Sequence, residues 1–213
     1  MTRTVTVNLD TVAPIITLVG ENLVTIECGS VYVDDGAVAI DDCDGNVNVI
    51  ADGVETQYPV GTFVITYNAS DNAGNAAEEV TRTVEVVDTT PPEITLIGDA
   101  NVEVECILGS RYNDAGATAW DACDGDLTET IVTVNPVKGF LVGEYTVTYT
   151  AIDGGGNMAQ KTRAVKVIDT KAPTIVLDGE PTVTLYVGDT YKEAGARWGD
   201  DCDGVPYPVT DIT

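Results

Sequence analysis

Residues 88–96 of the chain are Asp-Thr-Thr-Pro-Pro-Glu-Ile-Thr-Leu. The same pattern stands at residues 10–18 (Asp-Thr-Val-Ala-Pro-Ile-Ile-Thr-Leu) and again at 169–177 (Asp-Thr-Lys-Ala-Pro-Thr-Ile-Val-Leu). The sequence therefore repeats itself about every 80 residues, and a period of this length indicates an array of similar structural units.

Other motifs recur at the same period. Tyr-x-Asp-x-Gly-Ala stands at 32–37 and 112–117, and residues 191–196 match it with Glu193 in place of the aspartate. Asp-x-Cys-Asp-Gly stands at 41–45, 121–125 and 200–204. The pattern predicts the closing strand of a preceding repeat at 1–10, complete repeats at 11–88 and 89–169, and an incomplete repeat at 170–213.

Apolar and polar residues alternate within each repeat, as in Thr-Phe-Val-Ile-Thr-Tyr at 62–67 and Thr-Arg-Thr-Val-Glu-Val at 81–86. A period of two is typical of half-buried strands, and Gly, Asn, Asp and Pro interrupt the runs every 8 to 12 residues or so. No helix longer than one turn is expected. Seven short strands per repeat predict an all-β protein, made of tandem immunoglobulin-like β-sandwiches arranged as an elongated rod.

The charge balance excludes several functions. The chain has 35 acidic and 10 basic residues, a formal net charge of −25 and no histidine. Nucleic acids and anionic membrane faces need basic patches, so neither is an expected partner. The lack of histidine removes Ser-His-Asp triads and Cys-His pairs, and no apolar run approaches the roughly 20 residues of a membrane helix. We therefore expect no enzymatic activity and no membrane insertion.

The repeats resemble the bacterial immunoglobulin-like domains of insecticidal crystal proteins and large surface proteins, a family similar in pattern to hyalin repeats. The resemblance rests on the motifs at 88–92, 112–117 and 121–125, together with residues 142–149 and 153–157. It implies a tandem, secreted β-sandwich stalk with a structural or adhesive role, located outside the cell or at its surface.

Four of the five cysteines stand in equivalent pairs within repeats, and the sequence predicts disulfides Cys28–Cys43 and Cys106–Cys123. Such disulfides would place the chain in an oxidising, extracellular setting. The alternative is reduced, buried thiols that behave as small apolar residues. Cys202 has no equivalent partner in its own repeat, and we expect a free buried thiol there rather than an intermolecular link.

Acidic loops are expected to converge on one end of each repeat. Calcium prefers six to eight oxygen ligands from carboxylates, amides and carbonyls, so these loops predict calcium at the inter-repeat junctions. The alternative is that Asp, Asn and Gly serve only as turn residues. The predicted ligands are Asp10, Asp41, Asp44, Asp71 and Asn75 in the first repeat, Asp88, Asp121, Asp124, Asp153 and Asn157 in the second, and Asp169, Asp200 and Asp203 in the third.

Two functions compete on this basis. The first is an extracellular structural or adhesive spacer of calcium-stiffened repeats, whose partners are neighbouring repeats of the same or a longer chain. The second is a filament subunit, in which the strand at residues 3–8 completes the open third repeat of another copy by donor-strand complementation. Trp120 and Trp198 would favour a third role in sugar binding if they stacked on a ring, although a lone aromatic residue per repeat is more typical of a strand core or edge.

Overall fold

The structure is a computed structural model that describes residues 3–4 and 8–208. The predicted closing strand at 1–10 falls in part on residues 1–2 and 5–7, and the end of the third repeat on 209–213; these lie outside the described residues. Within the described residues, the only helical element is a single 3-10 turn at Thr128–Thr130, and no helix is long and apolar enough to cross a membrane.

The described residues are otherwise built from strands and loops. Numbered in chain order, the strands are β1 Ile15–Leu18, β2 Leu23–Glu27, β3 Ala37–Asp41, β4 Gly45–Val47, β5 Val49–Asp52, β6 Gly61–Ala69, β7 Val80–Val87, β8 Glu93–Leu96, β9 Asn101–Glu105, β10 Ala117–Asp121, β11 Gly125–Asp126, β12 Val132–Val134, β13 Gly143–Ile152, β14 Met158–Ile168, β15 Thr174–Leu177, β16 Ala196–Asp200 and β17 Gly204–Pro208. Seven strands fall in each of the first two repeats, which confirms the all-β, immunoglobulin-like prediction.

The chain packs into two compact units, whose boundaries differ from those of the sequence repeats. The first unit comprises Met1–Pro92, Trp120–Asp126 and Ile152–Asn157, and the second comprises Glu93–Ala119, Leu127–Ala151 and Met158–Thr213. Two loops of the second repeat thus belong to the same unit as the whole first repeat.

The first repeat is a sandwich of two sheets. One sheet has the order β1-β3-β4 and the other has the order β2-β7-β6-β5. All the pairings are antiparallel except that of β2 with β7, which run parallel with Leu23 opposite Thr83 and Glu27 opposite Val87. The parallel pair brings the end of β2 to the end of β7, where the linker to the next repeat begins.

The second repeat uses the same plan. Its four-stranded sheet has the order β12-β13-β14-β9, and β9 runs parallel to β14 as β2 does to β7. Strand β8 opens this repeat in a three-stranded sheet with β10 and β11. In the third repeat β15, β16 and β17 form one antiparallel sheet, and all four residues of β15 are exposed.

The period of two appears directly in the burial of the long strands. In β6, Ile65, Tyr67 and Ala69 are buried while Thr66 and Asn68 between them are not. In β7 the buried side chains are Val84, Val86 and, unexpectedly, an arginine. Trp120, by contrast, is 62% exposed on β10 and does not belong to a core.

The buried arginine is Arg82, and its contacts were not expected from the residue pattern. Its guanidinium pairs with Asp34 and donates to Tyr67 Oη at 3.0 Å, and only 1% of its side chain is exposed. The remaining N–H groups reach the backbone carbonyls of Glu21 (2.9 Å), Gly36 (3.3 Å) and Val19. A charge in a dry interior is tolerated only when it is paired and hydrogen-bonded, and Arg82 meets both conditions.

The Tyr-x-Asp-x-Gly motif supplies the other half of this network. Asp34 also accepts hydrogen bonds from Tyr67 Oη (2.7 Å), Tyr32 Oη (3.1 Å) and the Gly36 amide (3.1 Å). Gly36 has a φ of 78°, a left-handed conformation that glycine adopts without steric cost. Burial alone would raise the pKa of Asp34, but the hydrogen bonds from Tyr67 and Arg82 lower it below the ordinary aspartate value. The network therefore stabilises the fold at neutral pH and is lost as the pH falls through that lowered pKa.

The second repeat contains the same network. Arg163 pairs with Asp114, donates to Tyr149 Oη at 2.9 Å and donates to the carbonyls of Ile97 (2.5 Å) and Asp99 (2.9 Å). The repetition of a buried ion pair at the same register shows that it is part of the architecture of the repeat.

We predict that Asp114→Ala destabilises the protein by about 3–5 kcal/mol, because it leaves the Arg163 guanidinium buried without its counter-charge. The matched control is Glu103→Ala, which removes the carboxylate partner of Lys166 from an exposed ion pair of 3.4 Å in the same repeat. That variant should cost about 1 kcal/mol or less. Urea denaturation followed by circular dichroism measures both changes, and equal losses would contradict a special role for the buried pair.

Candidate inter-repeat junction

The linker after the first repeat is held by the last residue of β2. The Glu27 carboxylate accepts hydrogen bonds from the backbone N–H groups of Thr89 (2.8 Å) and Thr90 (3.0 Å) and from both threonine hydroxyls (2.8 and 2.9 Å). Glu105, which ends β9, accepts the corresponding bonds from Thr170. The threonines of the linker motif therefore donate hydrogen bonds to the glutamate that ends the parallel strand. The sequence pattern did not predict this role.

Three acidic side chains surround the start of this linker within the first unit. Ligand oxygens of Asp88, Asp124 and Asp153 lie within 4.8 Å of one another, and Asp88, Asp121 and the Cys123 sulfur form a second group within the same limit. Asp121 and Asp153 are buried. The structure thus brings together all four aspartates that the sequence proposed for the second repeat.

Asn157 connects the members of this cluster. Its side-chain amide nitrogen donates to the Asp88 carbonyl at 3.1 Å and to Asp153 Oδ2 at 3.0 Å. Its backbone N–H donates to Asp153 Oδ1 at 2.7 Å, while the Gly154 amide donates to Asp124. Asn157 therefore positions the carboxylates through its N–H groups.

The surroundings of the Asp88 side chain disfavour the charged form of its carboxylate. Burial, reinforced by the charges of Asp153 and Asp121, raises the pKa of Asp88 above the ordinary aspartate value. Burial, the side chain of Cys28 and the charges of Asp88 and Asp121 also raise the pKa of the Cys123 thiol. Negative charge is concentrated here without a basic side chain to offset it among the described residues of the cluster.

The first repeat has an equivalent cluster at Asp10, Asp41 and Cys43, whose ligand atoms also lie within 4.8 Å of one another. Asp41 Oδ1 accepts the amides of Cys43 (2.8 Å) and Asp44 (3.0 Å). Its other oxygen, Oδ2, is buried and has no hydrogen-bond partner among the described residues.

The remaining predicted residues of the first repeat join the same loops. Asp44 accepts the Asn72 amide at 2.7 Å, and Asn75 donates through its side chain to Asp71 Oδ2 (2.7 Å) and to the Asp10 carbonyl (3.3 Å). The linker, the 41–45 loop and the 71–75 turn therefore converge, as the sequence analysis predicted.

The third repeat differs. Asp200 accepts the Cys202 amide at 2.7 Å and Asp169 accepts the Lys171 amide at 3.2 Å, but no acidic cluster forms around them in the described part of the chain. Asp203 is exposed. Lys171 instead pairs with Asp201 at 2.7 Å, so a cation of the protein itself lies beside this loop.

The predicted cysteine pairing is wrong. Cys106 is bonded to Cys202, with Cα atoms 5.0 Å apart, and not to Cys123; Cys202 is therefore not a free thiol. Cys28 and Cys43 are not bonded to each other either, since both are free in the structure.

The direction of β2 explains the error. The Cys28 amide donates to the Val87 carbonyl at 2.8 Å, so Cys28 lies where the eight-residue β7 ends. Cys43 lies beside Asp10 and near the turn that precedes β7. A strand of eight residues spans about 25 Å, whereas the Cα atoms of a disulfide lie about 4.4–6.8 Å apart. The two cysteines of one repeat are at opposite ends of it.

Repeated sandwiches with buried ion pairs, clamped linkers and acidic junctions define a class of tandem structural modules. The chain belongs to the family of bacterial surface protein Ig-like domains, whose model matches residues 16–86 and 94–167. Membership identifies these repeats as non-catalytic structural modules located outside the cell or at its surface.

Two curated relatives carry the name hyalin. The chain is 34% identical over 164 residues to hyalin of Strongylocentrotus purpuratus, covering 72% of the chain and 13% of the relative. It is 36% identical over 123 residues to hyalin of Lytechinus variegatus, covering 55% of the chain and 23% of the relative. The chain therefore spans less than a quarter of the length of either. Among solved structures, a lipoprotein of Bacteroides thetaiotaomicron aligns with a TM-score of 0.34 and 23% identity, over 51% of the chain and 61% of the lipoprotein.

We predict that the linker amides report the titration of Glu27. The backbone and side-chain bonds from Thr89, followed by those from Thr90, lower the pKa of Glu27 below its ordinary value. This contribution to stability is present above the unfolded pKa and is lost as the pH falls through the lowered folded pKa. In an NMR pH titration, the Thr89 and Thr90 amide protons should shift together with an apparent pKa below that of a free glutamate.

The control for this titration is Glu27→Gln, which keeps an acceptor oxygen but removes the charge. The two amides should then no longer shift through the acidic range. A titration that persists in the variant would assign the linker's acid response to another group.

Proposed function

We propose that the protein is an extracellular spacer of immunoglobulin-like repeats, stiffened by calcium at the inter-repeat junction, within a bacterial surface or secreted protein. The repeat boundaries of the proposal are those of the sequence, with units at 11–88, 89–169 and 170–213 and a closing strand of another repeat at 1–10. The observation that carries the proposal is the acidic cluster formed by the linker residue Asp88 and the loop residues Asp121, Asp124 and Asp153.

The donor set of this cluster fits a hard cation. Calcium favours carboxylate oxygens, and four aspartates from three chain segments meet where the linker enters the second repeat. The Cys123 thiol beside them is not a ligand that calcium prefers, because hard cations bind oxygen atoms rather than sulfur. Burial and, after it, the charges of Asp153 and Asp121 raise the pKa of Asp88, and a bound cation would neutralise the repulsion between these carboxylates.

The equivalent cluster in the first repeat supports the same interpretation. A buried carboxylate oxygen without a partner is costly, and Asp41 Oδ2 faces this cost beside Asp10. A cation held by these two aspartates would supply the missing partner. The third repeat, where Lys171 pairs with Asp201, offers no comparable set among its described residues.

Cross-linking a linker to two loops would restrict the hinge between repeats. Glu27 already holds residues 89 and 90 on the upstream side of the junction. Calcium bound through Asp88 and the loops of the second repeat would hold the preceding residue of the linker to that repeat. A linker whose first residues are held by both repeats transmits orientation from one repeat to the next, which is what a spacer requires.

The filament alternative gains no support from the described residues, because residues 5–7 of the strand that would be donated lie outside them. Self-association by that route stays a prediction. Sugar binding by the tryptophans has one favourable observation, the 62% exposure of Trp120. A single exposed ring is weak support, and the spacer is the function that the acidic cluster favours.

We predict that millimolar calcium raises the thermal midpoint of the full chain relative to chelator. A ligand at 100 times its Kd adds about 2.7 kcal/mol, which corresponds to about 5–10 °C for a protein of this size. Scanning calorimetry in calcium, in magnesium and in sodium chloride of equal ionic strength separates specific binding from screening. An unchanged midpoint in calcium would mean that the loops are ordinary turns.

Asp88→Asn and Asp169→Asn form a matched pair for this measurement. Both residues open a linker, but only Asp88 belongs to an acidic cluster in the structure. The calcium-induced shift should shrink in Asp88→Asn and persist in Asp169→Asn. If the two variants respond alike, calcium binds elsewhere and the junction is not its site.

A further inference from the structure

The cysteines occupy two positions in the repeat. Cys28 and Cys106 each follow the last residue of a parallel strand, β2 or β9, whereas Cys43, Cys123 and Cys202 are the third residue of Asp-x-Cys-Asp-Gly. The disulfide in the structure joins one residue of each kind, Cys106 and Cys202, across 96 residues of sequence. Cys28 and Cys123 are also one residue of each kind, and the positions differ by 95.

The backbone hydrogen bonds of the two cysteine pairs, Cys28 with Cys123 and Cys106 with Cys202, are the same. The Cys28 amide donates to Val87 at 2.8 Å, and the Cys106 amide donates to Ile168 at 2.7 Å, so both cysteines extend the parallel ladder by one bond. The Cys123 and Cys202 amides each donate to the aspartate two residues earlier, both at 2.7 Å. Cys28 and Cys123 therefore make the same backbone hydrogen bonds as Cys106 and Cys202, respectively.

The two halves also meet within the first unit. A Cβ built on Gly29 would lie 3.2 Å from the Cβ of Ala122 and 3.3 Å from its carbonyl oxygen. These residues adjoin Cys28 and Cys123 in the chain, so the segments are in van der Waals contact. Cys28 is also among the groups that raise the pKa of the Cys123 thiol, so the two side chains lie near each other.

We propose that Cys28 and Cys123 form a second inter-repeat disulfide, equivalent to Cys106–Cys202. The reaction needs an oxidant of the disulfide class. The thiolate of Cys28 attacks one sulfur of the oxidant and expels one of its thiols, and the thiolate of Cys123 then displaces the other from the mixed disulfide. Two protons and two electrons leave the protein, and the oxidant is reduced to two thiols.

This bond makes the junction covalent. It joins the end of β2 in the first repeat to the acidic loop of the second, and it bypasses the linker at 88–92. Because each disulfide uses one cysteine of each position, it links a repeat to the one that follows it. The disulfides of many small secreted domains instead lie within a single domain.

The test is a thiol count and a disulfide map on the full chain. The protein is treated with oxidised glutathione until the Cys106–Cys202 disulfide is fully formed, and it is then alkylated in denaturant without reductant. Its mass gives the number of alkylated cysteines. The expected result is one alkylated cysteine, Cys43, out of five. Alkylation of three cysteines, with Cys28 and Cys123 among them, would overturn the proposal.

Tryptic mapping identifies the bond. Cleavage at Arg3, Arg82, Arg111 and Lys138 gives peptide 4–82 with Cys28 and Cys43, and peptide 112–138 with Cys123. We expect these two peptides to be cross-linked until reductant is added. An internal bond in peptide 4–82 would instead establish Cys28–Cys43 and refute the proposal.

Single serine variants assign the sulfur on peptide 4–82. Cys43→Ser should keep the cross-link and leave no alkylated thiol, whereas Cys28→Ser and Cys123→Ser should each abolish it and leave two. Retention of the cross-link in Cys28→Ser would show that Cys43 is the partner of Cys123. All three variants should retain Cys106–Cys202, which reports that the second unit is folded.

Discussion

A buried guanidinium organises each complete repeat. Arg82 and Arg163 neutralise an aspartate of the Tyr-x-Asp-x-Gly motif and donate to carbonyls of the turn after the first strand. Desolvating this charge is costly, and the cost is offset only if the motif, the turn and the strand all reach their places together. The small apolar core of each sandwich is therefore supplemented by a polar network whose members cannot be removed singly.

The same network accounts for the polarity of the repeat. Because Arg82 holds the Val19–Glu21 turn against β7, the strand that follows the turn lies beside β7 and runs parallel to it. The end of β2 then reaches the linker, where Glu27 and Cys28 lie. The opposite end of the sandwich collects the acidic loops. A repeat with two chemically different ends can join the next one in a single direction, and this is the basis of both proposals made above.

Much of this could be predicted from local patterns. The alternation in residues 62–67 and 81–86 was sufficient for the strands, because side-chain direction in a strand depends only on parity. The convergence of Asp10, the 41–45 loop and the 71–75 turn was also predicted, but the prediction combined strand parity with a Cys28–Cys43 bridge that the structure does not contain. The cysteine pairing did not follow, because motif equivalence says which positions are alike and not which end of the sandwich each one occupies. Arg82 escaped notice because a charged residue in an alternating strand is usually placed on the solvent face.

The period, the strand content, the acidic character of the loops and the family can all be inferred from the chain alone, since they depend on residue type and spacing. Which groups meet depends on how the strands pair. Only the parallel pairing of β2 with β7 shows that Glu27 binds the linker and that Cys28 adjoins the loop of the following repeat. The physical reason is that a parallel pair joins segments about 60 residues apart, so its register is fixed by burial and hydrogen bonding across the sandwich and leaves no local trace in the chain.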